Sequence, residues 1–151
     1  MNPLFFIFVL VLVSLDQSAK FLAEKYLVPG QSISVTPFFD LTYLRNTGMA
    51  FSMFDNKAWS NVMFASFAVL LLAVLFVWLI LNKSKFSGIS RLSIILVVSG
   101  ALGNLIDRIF RGYVVDFLDF FYSHHHWPAF NVADSCITVG GILLGLYLFR
   151  D

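Results

Sequence analysis

The sequence predicts an all-α membrane protein with four transmembrane helices and a small extracytoplasmic antiparallel β-sheet cradle. Apolar residues make up 59% of the 151 residues and charged residues only 13%, whereas soluble domains contain about 45–50% and about 25% of these classes. Four apolar segments are spaced along the chain, and the stretch after the first of them alternates apolar and polar residues. A chain this apolar requires lipid as the solvent for much of its surface.

The four apolar segments predict helices at about residues 3–23, 58–81, 89–109 and 130–149 of one integral membrane domain. Backbone polar groups in lipid must be satisfied within the segment, so helices are expected rather than strands. The second segment carries no charge and is longer than the roughly 20 residues that a bilayer requires. The first segment is interpreted as a retained helix, because no Lys or Arg precedes it and no A-x-A-like cleavage site follows it.

The stretch at about residues 29–57 predicts the cradle, resting on the outer face of the membrane. Ile33 and Val35 alternate with polar residues, as do Phe39 and Tyr43, which is typical of half-buried strands. Pro, Gly and an Asn-Thr-Gly sequence mark the turns.

The short loops predict the orientation of the helices in the membrane. Lys83 and Lys85 lie between the second and third segments, and Arg150 follows the fourth. By the positive-inside rule this side is cytoplasmic and both termini belong there. The opposite, extracytoplasmic end of the bundle then collects most of the polar residues: Asp16, Lys20, Arg45, Asn46, Asn104, Asp107, Arg108, Asp116, Asn131 and Asp134.

Two helix faces combine small and polar residues at three- and four-residue steps. The third segment contributes Gly100, Gly103, Asn104, Asp107, Arg108 and Arg111, and the fourth contributes Asn131, Asp134, Thr138, Gly141 and Gly145. The glycines, including the GxxxG sequence "GILLG", indicate close packing of helices. Packing does not explain the Asn and Asp residues, since carboxylates within a membrane are costly and mark a functional site by default.

Three consecutive histidines, at 124–126, resemble a metal site at first sight. Adjacent side chains point in different directions, whereas metal ligands are usually spaced along an element. We interpret the histidines as a solvated loop at the membrane interface, and expect no metal and no cofactor. Cys136 lies within an apolar helix, where a thiol is inert, so a thiol protease is disfavoured.

The carboxylates fall into two groups. Asp16 and Lys20 are spaced i, i+4 in the order that favours an ion pair, and Asp107 with Arg108 is expected to anchor the third helix by polar contacts. Three carboxylates lack an evident partner: Asp116, Asp119 and Asp134. Two of them in a poorly solvated site would share a proton, as an aspartic protease requires. Asp116 with Asp134 is the preferred pair, and Asp119 in place of Asp116 is the alternative.

Two other classes of function remain open on these residues alone. A small proton-coupled transporter also uses membrane carboxylates, but its ionisable groups would lie near the middle of the bilayer and be reachable from both faces. A lipid-binding or assembly module would tolerate the loss of both acids. The net charge of +1 and the absence of a basic run give no indication of nucleic-acid binding.

The sequence resembles lipoprotein signal peptidase (signal peptidase II), a bacterial membrane aspartic protease family. Five blocks carry the resemblance in order over nearly the whole chain: "DQSAK" (16–20), "RNTGMAF" (45–51), "GNLIDR" (103–108), "GYVVDF" (112–117) and "FNVADS" (130–135). The resemblance implies cleavage of diacylglyceryl-modified prolipoproteins just before the lipid-modified cysteine, in the cytoplasmic (inner) membrane. It also implies a four-helix bundle with an extracytoplasmic cradle, and no metal.

The resemblance implies that Asp116 and Asp134 are the catalytic pair. The family's other motif residues shape the site and hold the substrate, and they fall on Asp16, Lys20, Asn46, Gly48, Asn104, Asp107, Arg108, Asn131 and Ala133. Arg45, Asn46 and Gly48 form a turn of the cradle that is expected to bind an extended peptide through hydrogen bonds. We expect a monomer whose partners are the prolipoprotein substrate and membrane lipid.

Overall fold

The computed structural model describes residues 3–48, 57–81 and 88–149. Four helices form the bundle: α1 (Pro3–Tyr26), α2 (Lys57–Leu81), α3 (Gly88–Phe110) and α4 (Val132–Leu148). The first three are long and apolar enough to cross a membrane, and α4 is a shorter apolar helix of 17 residues. The cations Lys83, Lys85 and Arg150, used above for the orientation, lie outside the described residues, as does part of the second motif block.

Helix α3 is the centre of the bundle, because α1, α2 and α4 all pack against it. Its Ile94 and Ile95 form an apolar core with Phe5 and Val9 of α1 and Leu79 of α2. The outward faces of α1 and α2 are almost entirely exposed apolar side chains. Such a surface is expected where lipid, rather than water, surrounds a bundle.

Glycines bring α3 and α4 together, although they are not the glycines of the "GILLG" sequence. A Cβ added at Gly100 would collide with the carbonyl oxygen of Ala133, and one added at Gly140 would collide with that of Ser93. A Cβ at Gly141 or Gly145 would meet no described atom within 4 Å. The predicted packing role of Gly141 and Gly145 is therefore wrong, because both lie on a face of α4 that no described element approaches.

Gly140→Ala is expected to destabilise the protein, whereas Gly141→Ala serves as a matched control with little effect. The added Cβ at 140 would lie 2.7 Å from the Ser93 carbonyl oxygen and 2.8 Å from Cγ2 of Val97. A backbone oxygen cannot move alone, so α4 must shift away from α3 at a cost of about 1–3 kcal/mol. Thermal unfolding in detergent measures both variants, and equal melting temperatures would contradict this account.

A four-stranded antiparallel sheet lies at the end of the bundle where α1 and α3 end. Its strands are β1 (Ser32–Thr36), β2 (Phe39–Asn46), β3 (Val114–Tyr122) and β4 (His125–His126), in that spatial order. The small antiparallel sheet was predicted, but only β1 and β2 fall within residues 29–57. Strands β3 and β4 come from the connection between α3 and α4, where no strand was predicted.

The sheet packs on α1 through one face of β2 and β3. Tyr43 is buried with Val115, Phe117 and Ala23 of α1 in a second apolar cluster. Strand β1 differs from the predicted half-buried strand, because Ile33 and most of the other residues of the strand are exposed. An irregularity in the pairing of β2 with β3 precedes the pair of Leu44 with Asp116, so the sheet changes register next to Asp116.

Candidate active site

Asp116 lies on β3 with its side chain turned away from the apolar cluster of its neighbours. Successive residues of a strand point to opposite faces, so Val115 and Phe117 contact α1 while Asp116 faces the start of α4. The carboxylate is almost fully buried. Its two oxygens accept hydrogen bonds from the side-chain amides of Asn131 (2.7 Å) and Asn46 (2.8 Å). Asp116 is therefore a desolvated carboxylate held at both oxygens.

Asp134 lies in the first turn of α4. Its backbone N–H donates to the side-chain oxygen of Asn131 at 2.9 Å, and its carboxylate accepts from the backbone N–H of Asn131 at 3.2 Å, which completes a capping box. The amide of Asn104 on α3 donates to the other carboxylate oxygen at 2.7 Å. The carboxylate therefore lies at the positive end of the α4 dipole.

Asn131 is the residue that joins the two aspartates. Its side-chain amide donates to Asp116, while its side-chain oxygen and its backbone N–H bind Asp134. The two acids thus share one neighbour although 18 positions separate them in the sequence. The pair that the sequence analysis selected is brought together at one place.

The surroundings of Asp116 raise its affinity for a proton. Burial is the largest cause and raises the pKa of Asp116 to about 6. The negative charge of Asp134 contributes to this rise in pKa, whereas the hydrogen bonds from Asn46 and Asn131 and the charge of Lys20 oppose it. Asp116 therefore keeps its proton to a higher pH than an ordinary aspartate does.

Lys20 lies beneath the pair and is completely buried. Its ammonium group lies 2.8 Å from Asp16 Oδ2 and 2.8 Å from Asp107 Oδ2, and it donates to Asn104 Oδ1 at 3.0 Å. Asp16 also accepts from the backbone N–H of Ala133 at 2.8 Å, which fixes the start of α4 on α1. The predicted Asp16–Lys20 ion pair is present, and it lies within a larger network of buried charges.

Asp107 and Arg108 occupy different environments. Asp107 pairs with Lys20 and with Arg111, so its polar contacts anchor the end of α3 as predicted. Arg108 lies 5.4 Å from the ring centroid of Phe64 and donates to the Asn104 carbonyl at 3.3 Å. The Nε of Arg108 is buried and has no hydrogen-bond partner among the described atoms.

The cradle turn that follows β2 lies beside Asp116. The backbone N–H of Gly48 donates to the side-chain oxygen of Asn46 at 2.8 Å, and this orients the Asn46 amide towards Asp116. Gly48 has a φ of +96°, and a Cβ there would collide with Ser60 and Phe64 of α2. Only glycine therefore suits this position. Arg45, one residue before Asn46, is exposed to solvent.

The sequence analysis missed the site's outer polar residues, above all Glu24. Glu24 accepts hydrogen bonds from Tyr43, Tyr113 and Arg111. A signal was available, since Asp16, Lys20 and Glu24 recur at four-residue steps and thus share one face of α1.

The histidine segment is separate from the aspartate pair. His125 and His126 form β4 rather than a loop, and His126 Nδ1 lies 3.0 Å from both carboxylate oxygens of Asp119. Asp119 therefore contacts His126 and does not take the place of Asp116. Within residues 3–48, 57–81 and 88–149, no three His, Cys, Asp or Glu side chains are grouped to hold a metal ion. Cys136 is buried on α4.

Comparisons with known proteins agree with this arrangement. The family model described as "Signal peptidase (SPase) II" matches residues 8–150. The lipoprotein signal peptidase of Francisella tularensis subsp. novicida (strain U112) is 42% identical over 142 residues, which cover 93% of this chain and 88% of that protein. The lipoprotein signal peptidase of Serratia marcescens is 43% identical over 134 residues, which cover 88% of this chain and 77% of that protein.

Two solved structures, each titled as a bacterial membrane enzyme determined by the in meso method, share the fold. Both match with a TM-score of 0.85 and 31% identity over 100% of this chain, which corresponds to 90% and 96% of the matched chains. The family match spans nearly the whole sequence, and the apolar helices fit a multi-pass protein of the bacterial inner membrane. The chain therefore belongs to the signal peptidase II family of membrane aspartic proteases.

Proposed function

We propose that the chain cleaves diacylglyceryl-modified prolipoproteins immediately before the lipid-modified cysteine, using Asp116 and Asp134 to activate water. The observation that carries this proposal is the bridging role of Asn131, whose side-chain amide donates to the Asp116 carboxylate while its backbone N–H donates to the Asp134 carboxylate. One of these carboxylates is desolvated and the other lies at a helix N-terminus. Such different environments favour different protonation states, as acid–base chemistry requires.

The division of labour follows from these environments. Asp134, stabilised as a carboxylate by the start of α4, takes a proton from the attacking water. Asp116, which holds a proton more readily because it is buried, donates that proton to the scissile carbonyl oxygen. The resulting gem-diol collapses as Asp134 returns its proton to the leaving amine and Asp116 regains one from the diol hydroxyl. Both acids end in their starting states, and one water is consumed.

The neighbouring polar groups are assigned to support this reaction. Arg45 and Asn46 end strand β2 and Gly48 lies in the turn that follows it, rather than all three forming the turn as predicted. These residues lie beside Asp116 and would bind the extended substrate backbone. Arg108 is within the electrostatic reach of both aspartates, and its Nε has no acceptor in the part of the chain that the structure describes. The remaining motif residues, which shape the start of α4 and the floor of the site, are Asp16, Lys20, Asn104, Asp107, Asn131 and Ala133.

The membrane location suits the substrate. A precursor with two acyl chains is held in lipid, and a site at the extracytoplasmic interface reaches its cleavage bond and still receives water. The positive charges at Lys83, Lys85 and Arg150 support cytoplasmic termini and this orientation. We assign the chain as one integral membrane domain that acts as a monomer with lipid and prolipoprotein as its partners.

A cleavage assay with matched precursors tests the proposed function. The purified protein should cleave a diacylglyceryl-modified precursor between the signal peptide and the modified cysteine, and mass spectrometry of both products identifies the bond. The same precursor without its lipid should be cleaved far more slowly, and a chelator should leave the rate unchanged. Equal rates for both precursors would contradict the substrate assignment. An unchanged KM for a folded Asn46→Ala variant would remove the cradle turn from the substrate site.

A further inference from the structure

We propose that Arg111 is a positioning residue that balances the negative charge buried beneath the aspartate pair, and that Glu24 holds Arg111 in place. The inference rests on the proposed function, because it assigns Arg111 a role in setting the pH at which Asp116 and Asp134 act. Arg111 follows the end of α3 and lies at the edge of the site, where its side chain is 21% exposed.

The need for a further cation arises from the buried network itself. Asp16 and Asp107 are both buried, and both contact the same ammonium group of Lys20. Two carboxylates and one ammonium leave one uncompensated negative charge in a region that water does not reach. An unbalanced charge in such surroundings is costly and acts strongly on neighbouring titrations.

Arg111 provides the missing positive charge. Its Nη1 forms an ion pair with Asp107 Oδ1, the carboxylate oxygen that Lys20 does not contact. The same nitrogen donates to Gln17 Oε1 at 2.9 Å. Gln17 in turn donates to Asp107 Oδ1 at 3.0 Å, so Arg111 and Gln17 together bind the outward side of Asp107.

Glu24 holds the other edge of the guanidinium. Arg111 Nε donates to Glu24 Oε2 at 3.0 Å, and the second carboxylate oxygen accepts from Tyr43 at 3.2 Å and from Tyr113 at 3.1 Å. The hydrogen bond to Tyr43, burial and the bond to Glu24 raise the pKa of Tyr113, so this hydroxyl remains a neutral donor. Glu24 thereby ties Arg111 to α1 and, through Tyr43, to strand β2, three residues before Asn46.

Two short paths connect Asp107 with the aspartate pair. Asp107 Oδ2 accepts from the backbone N–H of Val115 at 3.4 Å, directly beside Asp116. Lys20 bridges Asp107 to Asn104, whose amide donates to Asp134. A change of charge at Arg111 is therefore transmitted to both acids through buried groups, where solvent screens little.

The charged groups around the pair come from every element that packs there. They are Asp16, Lys20 and Glu24 from α1, Arg45 from β2, Asp107 and Arg108 from α3, Arg111, and the two acids themselves. Each variant below changes at most one of these charged groups and retains all the others. A shift in the pH dependence of cleavage is then assigned to the single charge that was changed.

The test compares the pH profile of kcat/KM for Arg111→Gln and Arg111→Lys with the unmodified protein. Asp116 acts as the protonated acid, so its deprotonation forms the alkaline limb of the profile. Loss of the cation favours protonation of Asp116, so the alkaline limb of the Arg111→Gln profile should move to higher pH by roughly half a unit or more. Arg111→Lys keeps the charge and should restore most of the profile. Lys25→Gln is the matched control, because it removes an exposed cation near the same end of α1 and should leave the limb unchanged.

Glu24→Gln provides an independent second variant. It removes a negative charge and leaves Arg111 its contacts with Asp107 and Gln17, so the alkaline limb should move to lower pH. A profile of Arg111→Gln that superimposes on the unmodified one after scaling, or a lysine variant that shifts as far as the glutamine variant, would overturn the inference. If Arg111→Gln does not fold, the test rests on Glu24→Gln. A Glu24→Gln profile whose alkaline limb stays in place or moves to higher pH would then overturn the inference.

The failure of the proposed function is distinguishable from the failure of this inference. Asp116→Asn is assayed beside the other variants on the same lipid-modified precursor. If Asp116→Asn cleaves at the normal rate, the aspartate pair is wrong. If Asp116→Asn is inactive and the Arg111 and Glu24 profiles do not move, only the charge-balancing role of Arg111 is wrong.

Discussion

Asp116→Asn and Asp134→Asn are each expected to lower the rate of prolipoprotein cleavage by roughly three orders of magnitude or more. Asparagine keeps the shape of the side chain and retains part of its hydrogen bonding to neighbouring amides. It can neither take a proton from water nor return one. Because the two acids act in the same proton transfers, the double variant should be about as slow as either single variant.

Asp119→Asn is the matched control for this prediction. Asp119 lies on the same strand as Asp116 but contacts His126 instead of the α4 cap. Its replacement should leave kcat/KM close to that of the unmodified protein. Cleavage rates are measured under single-turnover conditions with the lipid-modified precursor, after thermal unfolding has shown that each variant folds. Normal cleavage by either Asp116→Asn or Asp134→Asn would exclude the proposed mechanism.

Lys20→Met is expected to cause the largest loss of stability, of about 3–5 kcal/mol. Methionine fills a similar volume but leaves Asp16 and Asp107 facing each other with no ammonium group between them. Neither carboxylate is reached by solvent. The cost is the desolvation of charges that have lost their partner, and it exceeds what the original ion pairs contribute.

Lys25→Met separates this effect from the general loss of a lysine. Lys25 is exposed, five residues further along α1, and removing such a group usually changes stability by less than about 0.5 kcal/mol. Thermal unfolding in the same detergent compares both variants. The double variant that also carries Asp16→Asn should recover part of the loss, since it removes the carboxylate whose ion pair was with Lys20, whereas Asp107 keeps its ion pair with Arg111. A Lys20→Met protein with the same melting temperature as the unmodified protein would contradict the account of this network.

The membrane helices were predictable because their signal is carried by composition over twenty or more residues. The predicted and observed bounds of α2 differ by one residue at the start and agree at the end, and those of α3 differ by one residue at each end. Helix α4 begins at Val132, two residues later than predicted, because Phe130 bonds to Leu118 of β3 and Asn131 forms the cap. Such an end is determined by tertiary contacts, which a hydropathy pattern does not contain.

The second half of the sheet was not predictable in the same way. Strand β3 contains Asp116 and Asp119, and aspartate is unfavourable in strands. The strand forms because Val115 and Phe117 bury one face against α1 while β2 satisfies its backbone. The proximity of Asp116 and Asp134 could be predicted, because four helices that alternate in direction bring both residues to the same end of the bundle. The contact between Arg111 and Glu24 could not be predicted, because these residues lie on different elements and share no motif.

The capping box at Asn131 also determines when during biosynthesis the site is complete. Asn131 caps the last helix of the described chain and holds both aspartates through the same side chain. A nascent chain that has inserted α1, α2 and α3 carries Asp116 but neither Asn131 nor Asp134. The proposed catalytic pair therefore exists only after α4 has docked on β3 and α3, so a chain that ends before Asn131 would lack it.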